Sequence, residues 1–381
     1  MQNGREVHEA IFAGERPEYL PVNGLWPWAE ALECWRRQGC PADQDHNAVL
    51  GLQPPHEEWP IGLPLNLNMA PTFPILLLEM GAEYVTLVDE YGVTKRLLRS
   101  DYERSGGYKN AAGAMSAMSE WLDFPVKDLR SWKTIYEERF QPDLQGRLPA
   151  DWDASAHNKL AETHWVGFFC FPLCGLFGPL REMMGVEGLL FTMVDDAALI
   201  HTIVNDLTDF WLAAFAQLLP AVRLDQITFF EDMCATKASL ISPAMFREFL
   251  TPGYRKVIGG LRELGVREFW MDTDGNAWSI LPEMVACGLT GTSPCEAQAD
   301  MDVRRLRNAF PTLNLAGGID KRALVQGPAA IDAELANKMS VAWERGRYIP
   351  GLDHGAPPDI PWAHAQYFAS EYVKWCEQPR G

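Results

Sequence analysis

Positive charge is scarce in this sequence of 381 residues. It has 33 Lys and Arg residues against 51 Asp and Glu residues, which gives a formal net charge of −18 at pH 7. Nucleic-acid-binding proteins neutralise phosphates with clustered Lys and Arg side chains, and an anionic membrane surface attracts the same residues. The composition therefore argues against nucleic acid and against a membrane surface as partners. It remains compatible with a small substrate of either charge, because local charge can oppose net charge.

Long apolar runs are also missing. No stretch approaches the ~18 consecutive apolar residues that a membrane-spanning helix needs, and residues 1–8 contain no apolar core of a signal peptide. The eight cysteines are scattered along a chain that is long enough to fold without disulfide bonds. We therefore expect a cytoplasmic protein whose thiols are reduced.

Several common catalytic motifs are absent from the sequence. It contains no Walker-type phosphate loop, no His-Glu-x-x-His zinc helix and no Gly-x-Ser-x-Gly turn. Gly317 and Gly318 are adjacent, but the correctly placed third glycine of a dinucleotide fingerprint is missing. These absences argue against several large enzyme classes, including the enzymes that use a nicotinamide cofactor.

The second half of the sequence contains a regular alternation of predicted strands and helices. Five predicted strands each lead into polar residues and are followed by a helical pattern, at 226–230, 266–271, 289–292, 313–316 and 348–352. Such alternation produces a parallel sheet in which all strand C-termini point the same way. The pattern predicts an α/β fold, specifically a closed (β/α)8 TIM barrel with its site at the strand ends.

We interpret residues 1–381 as a single domain. Residues 161–381 hold the regular repeats, whereas residues 1–160 form an N-terminal part with a predicted strand at 17–28, a β-hairpin at 84–97 and a polar surface excursion at 125–151. Four tryptophans of this part could line a pocket over the barrel or pack in its core: Trp26, Trp28, Trp35 and Trp59.

Asp272 and Asp274 are the most informative polar pair. They follow a strand rich in aromatic residues and precede Gly275, which permits a tight turn. Two carboxylates that emerge together can bind a metal, or can raise each other's pKa so that one becomes a general acid. The alternative is structural, with Asp272 capping the next helix and Asp274 accepting bonds from turn amides.

Other strand ends supply further candidates for a site. His354 could transfer protons near neutral pH or ligate a metal, and Glu231 could be catalytic or could cap a loop together with Asp232. Cys295 is either a thiolate ligand or a small buried residue. The remaining candidates for substrate binding share a position just after a strand and are Asp232, Asn276, Glu296, Gly317, Gly318 and Asp320. The paired glycines could let backbone approach a ligand, or could form the bend into a helix that Asp320 caps.

Taken together, these strand ends resemble the uroporphyrinogen decarboxylase superfamily. The resemblance rests on five segments that occur in the expected order from about Gly167 to the end of the chain: 231–233, 241–246, 272–276, 317–321 and 351–354. It implies a (β/α)8 barrel. It also implies one of two chemistries, either decarboxylation of a tetrapyrrole without metal or cofactor, or methyl transfer involving corrinoid proteins or thiols, usually with zinc.

The chain departs from both branches of that superfamily. The decarboxylases hold substrate carboxylates with N-terminal arginines, but residues 22–30 contain none. The methyltransferases bind zinc through a His-x-Cys-Gly turn, which aligns here with Asp272-Thr273-Asp274-Gly275, and through a later Cys, near which His354 is the available ligand. The resemblance therefore implies a metal site of Asp272, Asp274 and His354 for zinc or another divalent metal, with Cys295 as a possible fourth ligand. A metal-free site in which His354 moves protons is the alternative.

Our leading functional hypothesis from the sequence is a methyltransferase or demethylase that acts on a small substrate with a corrinoid protein or a thiol as acceptor. A metal-free carboxy-lyase acting on a small or tetrapyrrole-like acid is the alternative. A barrel that binds a ligand without catalysis is the second alternative. A homodimer is compatible with each of these hypotheses.

Overall fold

A curved parallel sheet forms the centre of the protein. The computed structural model describes residues 2–52, 60–107 and 119–377. The strands in these residues are β1 (Ile61–Gly62), β2 (Leu76–Met80), β3 (Tyr84–Val88), β4 (Thr94–Leu98), β5 (Glu120–Asp123), β6 (Val166–Phe169), β7 (Gln226–Phe230), β8 (Glu268–Asp272), β9 (Gly291–Ser293), β10 (Asn314–Ile319) and β11 (Tyr348–Leu352). The central sheet has the order β1-β6-β7-β8-β9-β10-β11. All of its neighbouring strands are parallel, which confirms the predicted α/β barrel class.

Helices follow the strands of this sheet and precede it at the N-terminus. In the described residues they are α1 (Gly4–Ala13), α2 (Ala29–Arg37), α3 (His46–Leu50), α4 (Arg99–Arg104), α5 (Leu129–Arg139), α6 (Ala154–Leu160), α7 (Phe177–Met184), α8 (Val186–Asp195), α9 (Ala197–Leu218), α10 (Pro243–Met245), α11 (Thr251–Glu263), α12 (Leu281–Cys287), α13 (Val303–Ala309), α14 (Lys321–Gln326), α15 (Pro328–Arg345) and α16 (Trp362–Glu377). A π-helical turn, Phe246–Leu250, joins α10 to α11. None of these helices has both the length and the apolar character needed to cross a bilayer.

Capping residues fix where the helices of the repeats begin. The Asp196 side chain accepts a bond from the Leu199 N–H at the start of α9, as its position before the apolar stripe predicts. Ser242 does the same for the Met245 N–H, and Pro243 occupies the first helical position. These local signals turn the chain back along the outside of the sheet, so that each new strand starts at the same end of the barrel.

The region beside β11 differs from the predicted closed barrel. Within the described residues the parallel ladder contains seven strands, and the predicted strand at 17–28 is extended chain with a single bridge, between Pro27 and Ala356. This segment still packs beside β11, since the Asn23 amide donates to the Pro350 carbonyl at 2.6 Å. Pro21 and Pro27 have no N–H to donate, which explains why a regular ladder does not form here.

The N-terminal part adds a separate small sheet. Its strand order is β2-β3-β4-β5, and all neighbours are antiparallel. The β3–β4 pair is the hairpin that the sequence predicts at 84–97. Side chains of β2 are exposed on both faces of this strand, and Val85, Leu87 and Leu97 form a small core cluster of their own.

The excursion at 125–151 is more deeply packed than its polar composition predicts. It contains α5, whose Trp132 is fully buried, and Phe140 contacts Phe210 of α9 with ring centroids 5.4 Å apart. One continuous cluster of buried apolar side chains reaches from Val7 to Cys376 and includes Trp132, Phe140 and Phe210. The continuity of this cluster agrees with a single domain, which stays a prediction.

Candidate functional site

Asp274 and His354 meet at the C-terminal edge of the parallel sheet. Asp274 follows β8 and His354 follows β11, yet the carboxylate oxygen of Asp274 lies 3.3 Å from His354 Nε2. The two side chains are 41% and 32% exposed, so a substrate can reach both. The parallel sheet thus brings together two of the residues that the sequence singled out, although they are 80 positions apart.

Asp272 stands beside this pair at the end of β8 and has an unusual environment. Its side chain accepts one long bond, from the Ser293 hydroxyl at 3.4 Å. Burial raises the pKa of Asp272 to about 7, and the negative charges of Asp274 and Asp232 contribute to this shift. The carboxyl is therefore partly protonated near neutral pH. It does not cap the following helix, since the cap residue of α12 is Ile280.

The pKa of His354 moves in the direction expected for a histidine beside a carboxylate. Its hydrogen bond with Asp274 raises the pKa above the usual value, against the opposing effect of burial. The shift increases the share of the imidazolium form at a given pH. Asp272 and His354 together give this end of the barrel two groups that can hold a proton at neutral pH.

A lysine that sequence reasoning did not select supports this site from the neighbouring strand ends. Lys321 is buried, and its ammonium group lies 3.5 Å from Asp353 and 3.7 Å from Glu296. Asp353 is fully buried and also accepts bonds from the Lys321 and Ala297 N–H groups. The sequence signal was present, because Lys321 and Asp353 stand in two of the strand-end segments next to the residues that were selected.

Glu296 links this network to the turn that carries Asp274. Its carboxylate accepts the Gly275 N–H at 2.9 Å, and its other oxygen faces Lys321. Gly275 has a φ of 79°, and a Cβ there would lie 2.6 Å from the Ala235 carbonyl oxygen. Only glycine fits both the dihedral and the close approach. The network therefore holds the Asp274 turn in place, which is a positioning role for Glu296.

Among the candidate residues, Glu231 has the surroundings that are least typical of a catalytic group. It is fully buried at the end of β7 and accepts bonds from the N–H groups of Leu176, Phe177 and Gly178 at 2.6, 2.5 and 2.9 Å. Tyr254 donates its hydroxyl to the same carboxylate. Burial raises the pKa of Glu231 to about 7, although these hydrogen bonds oppose the shift. The geometry favours the structural alternative, in which Glu231 anchors the start of α7.

Asp232 lies next to Glu231 but faces the rim of the barrel. Its backbone has a φ of 43°, a left-handed conformation that is uncommon outside glycine. Its carboxylate accepts a bond from the Arg181 guanidinium at 2.6 Å, and Arg181 also donates to the Asp232 carbonyl. Asp232 therefore orders the rim and adds negative charge near Asp272.

The donor set does not assemble into the metal site that the resemblance implies. Cys295 is buried, its thiol faces the Thr292 carbonyl, and burial raises the pKa of this thiol to about 12, so it remains neutral. Nε2 of His354 is engaged with Asp274. Among the residues that the structure describes, no cluster of three or more His, Cys, Asp or Glu side chains has the arrangement of a metal site.

The remaining candidates for substrate binding shape the loops around the site. The Asn276 side chain accepts from the Trp278 N–H, and the Asp320 side chain caps α14 and pairs with Arg322. A Cβ on Gly317 would lie 2.1 Å from the Pro294 carbonyl oxygen, so this glycine is needed for close packing. Gly318 donates its N–H to the same oxygen. These contacts favour the structural alternatives at 317–320, where β10 also continues to Ile319 rather than ending at 316.

Aromatic side chains surround the mouth of the barrel. Trp26 and Trp28 are 79% and 48% exposed, and a Cβ on Gly355 would lie 2.8 Å from Trp28 Nε1, so Trp28 packs beside the His354 loop. Trp35, in contrast, is fully buried in the core. Trp59 lies outside the described residues. The sequence thus identified aromatic residues on the rim without separating them from core tryptophans.

The fold and the strand-end site define an α/β barrel protein with acidic and imidazole groups at its C-terminal edge. The sequence model of the family described as uroporphyrinogen decarboxylase (URO-D) matches residues 175–375, which is more than half of the chain. The protein therefore belongs to the uroporphyrinogen decarboxylase family. The recognition made from the strand ends is confirmed.

Comparison with solved structures supports the same fold. A methyltransferase from Methanosarcina mazei is similar with a TM-score of 0.54 and 16% sequence identity, over 98% of this chain and 99% of that chain. The search of curated proteins found no match. At this identity the structural likeness concerns the fold, and it extends to the N-terminal part that the family match does not cover.

Proposed function

We propose that this protein is a methyl-transferring enzyme of the uroporphyrinogen decarboxylase superfamily. It would remove a methyl group from oxygen, nitrogen or sulfur of a small substrate. A corrinoid protein, or a thiol, would accept that group. The observation that carries the proposal is the group of Asp272, Asp274 and His354, which places two proton-holding side chains at an exposed strand-end site.

The chemistry asked of these residues is proton donation to the leaving heteroatom. When the carbon–heteroatom bond breaks, its electron pair stays on the heteroatom and a proton must be supplied. Asp272 in its neutral form is suited to this because its pKa of about 7 keeps it partly protonated while leaving it acidic enough to donate. His354, held by Asp274, returns a proton to Asp272 or takes one from a thiol acceptor. The heteroatom thus gains a proton and the acceptor gains the methyl group.

Zinc would polarise the heteroatom or lower the pKa of a thiol acceptor in the branch of the superfamily that uses it. The present donor set does not fit that role, because the Cys295 thiol is turned away and His354 is paired with Asp274. We therefore assign the activation of the leaving group to Asp272 and His354, and no step to a metal.

Decarboxylation is the second candidate function, and the family match favours it. Loss of carbon dioxide leaves a carbanion that needs a proton, which neutral Asp272 could also provide. Arg181 and Lys321, two cations near the rim, are already paired with carboxylates of the protein. They are therefore poorly placed to hold a substrate with many carboxylates, and a small acid is the better candidate for this reaction.

Product analysis distinguishes these functions. Purified protein is incubated with methoxy, methylamino and methylthio compounds, with either cob(I)alamin or dithiothreitol as acceptor, and the methylated acceptor is quantified. Small carboxylic acids are assayed in parallel for carbon dioxide release. Methylated acceptor formed by the wild type and by the exposed-site control Asp195→Asn, and lost in Asp272→Asn, supports the proposal. Carbon dioxide without methylated product supports decarboxylation, and tight ligand binding without either product supports a non-catalytic barrel.

A further inference from the structure

A cavity lies inside the barrel, below the strand-end site. Its volume is about 250 Å³, whereas the interior of an α/β barrel is usually filled with side chains. We infer that this cavity binds the apolar part of the substrate, and that this part is an uncharged aromatic ring or an equally compact apolar group. The inference rests on the proposed function, because it treats the cavity and the strand-end site as two halves of one substrate site.

The walls of the cavity come from three parts of the chain. One wall is the first turns of α1, with Val7 and His8, and another is the extended segment at 19–23. The third is the inner face of the sheet, where positions two residues apart on a strand point inward, such as Gln226 and Thr228 of β7. The small side chain of Ala316 on β10 leaves much of this space open.

The lining carries no formal charge at neutral pH. None of the residues that line the cavity is Lys, Arg, Asp or Glu. His8 is the one titratable imidazole among them, and burial lowers the pKa of His8 to about 4, so it is neutral. Its Nδ1 lies 2.7 Å from the Gly4 carbonyl. A charged group would lose its hydration here without gaining an opposite charge, so an uncharged ligand is favoured.

Size and shape point to a single ring. An apolar cavity of ~150 Å³ is known to hold benzene, so a cavity of about 250 Å³ can hold one ring with substituents. Trp165 and Trp270 provide flat aromatic walls, and His8 stacks on Trp165 with ring centroids 5.8 Å apart. Aromatic rings pack favourably against such walls. Thr228 accepts a bond from Gln226 at 3.1 Å and retains its own hydroxyl proton for a polar substituent.

Ser293 connects the cavity to the proposed reaction. It lines the cavity, and its hydroxyl donates to Asp272 at 3.4 Å. A ring held in the cavity would therefore place a substituent on its upper side next to Asp272. This arrangement selects compounds in which the methylated heteroatom is attached to, or close to, the apolar ring.

Direct binding measurements test the inference without any turnover. Anisole serves as the uncharged probe and benzoate as a charged probe of similar size. Binding is followed by calorimetry and by the intrinsic tryptophan fluorescence, to which the cavity residues Trp165 and Trp270 contribute. Ala316→Phe fills the cavity, Ala316→Val fills it partly, and Ala336→Phe adds the same ring at an exposed position of α15. Circular dichroism and the melting temperature show whether each variant is folded.

We expect wild type and Ala336→Phe to bind anisole alike. The cavity-filling Ala316→Phe should weaken it at least about tenfold, with Ala316→Val intermediate. Benzoate should bind at least about tenfold more weakly than anisole. Equal binding of both probes, no binding of anisole to the wild type, or binding indifferent to both Ala316 substitutions overturns the inference. Asp272→Asn should keep anisole binding, because the substitution lies outside the cavity lining. A wild type that binds anisole but forms no methylated acceptor would overturn the proposed function and leave the cavity assignment standing.

Discussion

The ends of β7 and β8 carry one fully buried and one partly buried carboxyl, with similar pKa values and different surroundings. Burial raises the pKa of both Glu231 and Asp272 to about 7. Glu231 accepts bonds from three backbone N–H groups and from Tyr254, whereas Asp272 accepts one long bond from Ser293. A raised pKa therefore does not by itself mark a catalytic acid. The number of donors that already occupy the carboxyl separates an anchoring residue from one that is free to react.

The two carboxyls also differ in the charges around them. Hydrogen bonds to Glu231 favour its ionised form and oppose the effect of burial. Asp272 instead has Asp274 and Asp232 as neighbours, and both negative charges favour its protonated form. Glu231 is thus stabilised as a fixed acceptor, while Asp272 is held ready to gain and lose a proton.

Removal of the Glu231 carboxylate should have the largest effect, which is a loss of folding stability. In Glu231→Ala, three backbone N–H groups and the Tyr254 hydroxyl lose their acceptor. Each buried unsatisfied group costs ~1–3 kcal/mol, so we expect the free energy of unfolding to fall by at least about 4 kcal/mol. Urea denaturation measures it, with the exposed Glu248→Ala as control. Should Glu231→Ala not fold, the milder Glu231→Gln is measured instead. A loss below about 1 kcal/mol in either variant would contradict the anchoring role.

The matching substitution at Asp272 should act on turnover rather than on folding. Asp272→Asn keeps the size of the side chain but cannot donate the proton that the leaving heteroatom needs. We expect kcat to fall by about 10²- to 10⁴-fold, the usual contribution of a general acid. The wild type should lose activity as pH rises above about 7, because Asp272 must be protonated. If Asp272→Asn retains kcat, the contrast between the two carboxyls has no functional meaning.

The sequence predicted where the strands end better than it predicted what the residues at those ends do. Polar residues after strands are visible in the sequence, and β7 and β11 have the predicted bounds. The role of Glu231 depends on the N–H groups of 176–178, more than 50 positions earlier in the chain. No local pattern reports that contact. The sequence therefore could not distinguish an anchoring carboxylate from a reactive one.

Three other differences between the sequence predictions and the structure also have physical causes. β10 extends to Ile319 because residues 317–319 continue the parallel pairing with residues 350–352 of β11, a tertiary contact that overrides the usual interpretation of paired glycines as a bend. The segment at 17–28 has strand-like composition, but its prolines prevent a regular ladder. Lys321 stands in one of the strand-end segments, but its pairing with Glu296 and Asp353 joins three strand ends and is not visible in the local sequence.

A smaller change at the same site tests the influence of neighbouring charge. Asp274→Asn removes one negative charge from beside Asp272 and the hydrogen-bond partner of His354. The pKa values of both groups should therefore decrease, and the loss of activity with rising pH should begin at lower pH. We expect a shift of less than about one pH unit, since burial remains the main cause of the Asp272 shift. The pH profile of kcat measures it, with Asp195→Asn as the control that should not move it.

The smallest expected effect is on stability, and it has opposite signs for the two carboxyls. The pKa of Asp272 rises from 3.8 to about 7 on folding. The bound proton therefore contributes its full stabilisation below pH ~4, and this contribution is lost as the pH rises to about 7. Asp272→Asn carries no such charge and should gain stability relative to the wild type across that window. The gain should reach about 1–2 kcal/mol at pH 8, less than the full linkage value because the side chain is only partly buried.

Glu231→Gln provides the counterpart of that measurement. An amide replaces one acceptor oxygen with a donor that faces the backbone N–H groups of the α7 start, so this variant should lose stability at pH 8. The melting temperatures of Asp272→Asn, Glu231→Gln and the control Asp195→Asn are compared with that of the wild type at pH 5 and at pH 8. Destabilisation at both sites would mean that Asp272, like Glu231, is fully engaged by the protein, and proton donation would then need another group. A gain of stability in Asp272→Asn together with a loss in Glu231→Gln would locate the free acid at β8, by a measurement that does not depend on knowing the substrate.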